Sequence, residues 1–104
     1  MIKIANKREP EQCRNITEIR SEIDLIDQFI VKTIGKRFQY VKTAAKFKTN
    51  EQDVKAEDRF RAMLKIRRKW AVESGLDADV IEKIFKDLIN YFINAELSAW
   101  EKIS

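Results

Sequence analysis

Isoleucine recurs at positions 16, 19, 23, 26 and 30, in alternating steps of three and four, and the register continues through Thr33, Arg37, Tyr40, Ala44 and Phe47. Such steps place side chains on one face of an α-helix. No proline interrupts the run and only Gly35 weakens it, while Asn15 stands as an N-cap with Glu18 three residues on, at the capping-box position. The pattern predicts a helix over about residues 15–47, a rod of roughly 50 Å at 1.5 Å per residue. A compact globule of this chain length is only about 33 Å across. The rod outruns its own domain, and two shorter helices of one chain do not cover its stripe. The expectation is an intertwined helical homodimer, with a helix broken near Gly35 into two halves of a monomeric four-helix bundle as the alternative.

The rest of the chain supplies those shorter helices. With 2 Gly and 1 Pro in 104 residues there are few turns, which favours an all-α fold of three helices. A second helix is expected over about residues 56–74, with Arg59, Met63, Ile66 and Trp70 on one stripe, and Phe60, Leu64, Arg67 and Ala71 beside it. Gly75 stands where a left-handed C-terminal cap belongs. Asp77 caps a third helix reaching Lys102, with Asp79 in its first turn and Ile81, Ile84, Phe85, Leu88, Phe92, Ala95 and Ala99 on its apolar face. Residues 1–14, which hold Pro10, read as an irregular arm; residues 48–55 read as a polar, solvent-facing connection. Residues 15–104 are then a single helical domain.

Composition removes several chemistries. There is no His and one Cys, Cys13, so the common transition-metal ligands and Ser/His or Cys/His nucleophilic catalysis are missing, and no metal or cofactor is expected. No apolar run resembles a signal peptide or a membrane span, which makes the cytoplasm the simplest location, with no membrane partner. The net charge of +4 hides a basic middle, because residues 32–69 carry 13 Lys and Arg against 4 Asp and Glu. Nucleic-acid binding through Arg67, Arg68 and Lys69 is therefore a rival reading, although cations also suit a helix C-terminus as a solvated face.

Three charges fall on otherwise apolar stripes: Arg37, Arg59 and Glu96. A charge taken from water needs a partner, an escape to the surface or a polar pocket, and the pattern leaves all three open. Two guanidinium groups converging with Lys48 suit a small dicarboxylate. A pocket of cations without a nucleophile or imidazole accelerates reactions that need a folded substrate and stabilisation of growing negative charge, such as pericyclic rearrangements. Met63, one turn after Arg59, Phe60, and Phe92, one turn before Glu96, are candidates for the pocket wall. Trp70 and Trp100 read as core or interface residues, and Cys13 has no assigned role.

Four segments carry a resemblance: Ile19-Arg-Ser-Glu-Ile-Asp-Leu-Ile-Asp27, the block from Lys36 to Lys48 with its Tyr-Val-Lys-Thr-Ala-Ala-Lys-Phe-Lys run, Asp58-Arg59, and Trp70-Ala-Val-Glu-Ser-Gly-Leu-Asp77. Together, over about residues 12–100, they resemble the small all-α chorismate mutase family, and within it the isochorismate pyruvate lyases of salicylate and siderophore biosynthesis. The resemblance implies that Arg37 and Arg59 hold substrate carboxylates, that Arg20 joins them from the partner chain of a homodimer, and that Lys48 sits over the ether oxygen on a loop that orders over substrate. Mutases of this class usually carry Glu where this chain has Phe60, which favours the lyase. Glu96 stands where bacterial members often have Gln, a hydrogen-bond donor to the ether oxygen, so the active form is expected to hold Glu96 protonated. The expected reaction is elimination of pyruvate from isochorismate to give salicylate, with a weak chorismate mutase side activity compatible with the same pocket and a dedicated mutase as the alternative. A dimer that keeps the fold without activity is a third reading.

Overall fold

The computed structural model describes residues 6–103, and every regular element among them is helical. Contacts divide the chain between Gln39 and Tyr40 into two compact units. The first helix, α1, spans Ile16–Ala44 and is unbroken at Gly35; its length is about 43 Å. It ends three residues short of the expected limit, because Ala45–Phe47 tighten into a 3₁₀ turn.

Within residues 6–39, Asn15 Oδ1 accepts from Glu18 N (2.9 Å), the expected cap. The Glu18 carboxylate reaches one residue further back than a capping box, to Arg14 N (2.9 Å) and the Arg14 guanidinium (2.8 Å). Those bonds hold its carboxyl well below the ordinary range, at about 2. The arm expected to be irregular contains a 3₁₀ turn at Pro10–Gln12, and Glu22, 7% exposed, is the buried residue of α1. The Ile stripe is open by contrast, with Ile16, Ile23 and Ile30 exposed by 58, 47 and 47%.

Within residues 40–104, a short helix, α2 (Glu51–Lys55), occupies the stretch expected as a connection. Asn50 Oδ1 accepts from Asp53 N (2.8 Å) and Asp53 reaches back to Thr49 Oγ1 (2.6 Å), so both ends of its first turn are satisfied, while Val54 is buried. Ala56, left-handed at φ 42°, joins α2 directly to α3 (Glu57–Glu73). At the end of α3, Gly75 takes φ 75°, Leu76 N bonds Ala71 O (2.8 Å) and Gly75 N bonds Val72 O (3.1 Å). This is the full Schellman closure expected of that glycine. Asp77 Oδ1 then accepts from Asp79 N (2.9 Å) and Val80 N (3.1 Å) to start α4 (Ala78–Ile103).

The hairpin of α3 and α4 closes on Met63, Leu64 and Ile89, with Phe60, Phe85 and Ile93 against them. The buried stripes are therefore rotated from those expected. Ile66, Trp70 and Ile84 stay exposed, while Ile89 and Ile93 turn inward. Each helix carries two apolar faces, and the hairpin covers one. The basic cluster is also more engaged than a solvated face: Arg67 lies over the rings of Trp70 (4.6 Å) and Phe85 (5.8 Å), and Arg68 pairs with Asp79 (2.8 Å). Among the described residues no helix is long and apolar enough to cross a membrane.

Candidate active site

Glu96 is the charge that the fold buries most deeply in the hairpin. It lies on α4 one turn after Phe92, itself buried, and is 5% exposed. Its Oε2 is shielded from solvent and has no hydrogen-bond partner among the described residues. Burial pushes its carboxyl above the ordinary range, and the Lys48 ammonium opposes this without reversing it. The two influences had opposite signs in the sequence, and the fold makes desolvation the stronger. A buried carboxylate without a donor is costly, and burial therefore favours the neutral form over the charged one.

Lys48 is held by three independent contacts. Its backbone N–H closes the 3₁₀ turn on Ala45 O (3.3 Å). Its Nζ donates to Asp53 O in α2 (2.9 Å). Its carbonyl accepts from Trp100 Nε1 (3.2 Å), one turn beyond Glu96 on α4. Trp100 thus ties the Lys48 backbone to the helix that carries Glu96. An ammonium has three N–H donors, so two remain for a ligand while the bond to Asp53 stands. The sequence reading missed Trp100 in this role, since nothing in spacing pairs an indole with a carbonyl 52 residues away.

The other expected residues are placed as follows. Met63 is buried in the hairpin core and Phe92 is buried on α4. Arg59 is exposed on the first turn of α3 and borders a groove with Gln52, Lys55, Ala56, Glu57 and Asp58. Phe60 packs on the core and lines a different cavity of ≈ 400 Å³ with Asn90, Ile93, Asn94 and Leu97, whose lining does not include Lys48, Arg59 or Glu96. Arg20 is exposed and Arg37 half-buried, both on α1. Residues 40–104 bring Lys48 and Glu96 within mutual electrostatic reach. Chemically, the pair offers a cation beside a carboxyl whose burial favours its neutral form. The described residues contain no group of His, Cys, Asp and Glu suited to a metal ion.

Residues 19–97 match the protein family described as chorismate mutase type II. Over 93 residues the chain is 41% identical to the isochorismate pyruvate lyase of Pseudomonas aeruginosa, covering 89% of this chain and 92% of that protein. Over 72 residues it is 33% identical to the T-protein of Haemophilus influenzae, covering 68% of this chain but 19% of that protein.

Proposed function

The chain belongs to the chorismate mutase type II family, and from that premise we propose that it is an isochorismate pyruvate lyase, converting isochorismate to salicylate and pyruvate. The observation that carries this reading is the 41% identity to a lyase along nearly the whole of both chains. The residue type at position 60 agrees with it, since this chain has Phe60 where the resemblance places a Glu in the mutases.

In the proposed reaction the carbon–oxygen ether bond opens while a ring hydrogen passes to the methylene carbon of the enolpyruvyl group. Pyruvate leaves as the methyl ketone and the ring becomes aromatic. The hydrogen moves within the substrate, so no protein base is needed. Arg59, with Arg37 and Arg20 as further carboxylate ligands, binds the dianion in its folded conformation. Lys48 and protonated Glu96 donate towards the ether oxygen as charge grows there. Arg20 comes from a second copy of the chain, a homodimer supported by the uncovered Ile stripe of α1 and the exposed Ile66, Trp70 and Ile84. The protein acts in the cytoplasm, in salicylate or siderophore formation, on residues 15–104 as one catalytic domain. No nucleic acid is needed as a partner, in keeping with the stacking and ion pairing of Arg67 and Arg68.

The test is incubation of the purified protein with isochorismate and with chorismate separately. Salicylate with equimolar pyruvate is the expected outcome. Prephenate alone overturns the lyase and establishes the second reading, a dedicated mutase, which the family match also fits.

A further inference from the structure

The N-terminal arm, polar and without an apolar repeat, gives no sequence reason to pack. It nevertheless closes on α1 at two points. At the first, Glu22 Oε1 accepts from Lys7 N (2.8 Å), Asn6 Nδ2 (3.1 Å) and Arg8 N (3.2 Å), and Asn6 Nδ2 also reaches the Glu22 carbonyl (3.2 Å). At the second, Glu18 holds Arg14 and, at 3.7 Å, the Arg8 guanidinium. Between them the 3₁₀ turn closes on itself, through Gln12 N to Glu9 O (2.9 Å) and Glu9 N to Gln12 Oε1 (2.8 Å). Residues 6–14 therefore form a strap with both ends on the first two turns of the helix.

A buried carboxylate is a poor source of raw stability, because an apolar side chain would fill the same space without desolvation. Three donors on one oxygen do something an apolar side chain does not: they fix which arm residues sit there, since only that register pairs every group. Glu18 and Glu22 lie one turn apart on one flank of the Ile stripe, and Arg20, two residues from each, points about 200° round the helix to the other flank. The strap thus grips the back of the helical turn that presents Arg20. Helix N-termini otherwise fray.

We infer that Glu22 is a positioning residue: by seating Asn6, Lys7 and Arg8 it holds the first two turns of α1 rigid and keeps Arg20 aimed at a substrate carboxylate. The role of Arg20 rests on the function proposed above; the strap does not. A carboxylate ligand binds ground state and transition state alike, so its loss of aim raises KM more than it lowers kcat.

The test compares Glu22→Ala, Glu22→Gln and Asn6→Ala in the full chain, by amide hydrogen exchange and by steady-state kinetics. In Glu22→Ala, protection at Lys7 and Arg8 is lost, residues 16–24 exchange faster, and KM rises by about tenfold with a smaller change in kcat. Glu22→Gln keeps an acceptor oxygen in place and restores most of both. Asn6→Ala, which leaves no unpaired charge behind, gives a partial loss of the same kind and serves if Glu22→Ala does not fold. Unchanged protection at Lys7 and Arg8 overturns the strap, and lost protection with unchanged KM and kcat overturns the positioning role. A wild-type protein inactive on both chorismate isomers overturns the lyase instead; exchange at residues 16–24 then decides the strap by itself.

Discussion

At the scale of single residues, the proposed chemistry rests on Glu96 and Lys48, and their charges can be tested separately. In the proposed reaction Lys48→Ala removes the charge that faces the breaking bond, so kcat falls by about 10²- to 10³-fold with a smaller rise in KM; an unchanged kcat contradicts the role. If Glu96 works protonated, kcat/KM falls on the alkaline side and Glu96→Gln flattens that limb; identical profiles exclude it. The same group predicts a stability trend. Its folded pKa is raised, so its contribution is complete below the ordinary carboxylate value of 4.5 and is lost as pH climbs through the raised value. Glu96→Gln therefore raises Tm at pH 7, and the gain disappears by pH 4. A charge on an apolar stripe was enough to single out Glu96 from sequence. The direction of its pKa shift was not legible, because the balance between burial and Lys48 depends on distances that spacing along the chain does not contain.

At the scale of elements, the termini were the most legible parts. Asn15, Gly75 and Asp77 do in the fold what residue type alone led one to expect, since capping is satisfied within a few residues and needs no distant partner. Gly75 has open space around its missing Cβ, so Gly75→Ala costs about 1 kcal/mol from the left-handed backbone alone, measurable by urea unfolding. The short helix α2 was missed although Asn50 and Asp53 announce its start, because five residues are too few for an apolar period. The arm was missed for a different reason: Glu22 and Asn6 are 16 residues apart and meet only through the strap. Glu18 and Glu22 both titrate below the ordinary carboxylate range, so the stability they contribute is complete above pH 4.5 and is lost as pH falls, for Glu18 towards about 2. Acid titration followed by exchange at residues 6–14 should release the strap in that window, while the hairpin of α3 and α4, whose core is apolar, keeps its protection.

For the whole molecule, the open Ile stripe of α1 and the second apolar faces of α3 and α4 predict association. Sedimentation at micromolar concentration should give twice the chain mass of 12.3 kDa, and a species at 12.3 kDa overturns the homodimer. The sequence by itself determined the all-α class, the unbroken first helix, the caps and the family resemblance, because these depend on periods and signals repeated within a few turns. Only the tertiary structure decided which of two apolar faces each helix of the hairpin buries, that Trp100 anchors Lys48, that burial outweighs Lys48 in raising the Glu96 pKa and that Glu22 seats the arm. Each of those joins residues far apart in the chain, and the energy that selects them, desolvation against pairing, exists only once the groups are brought together.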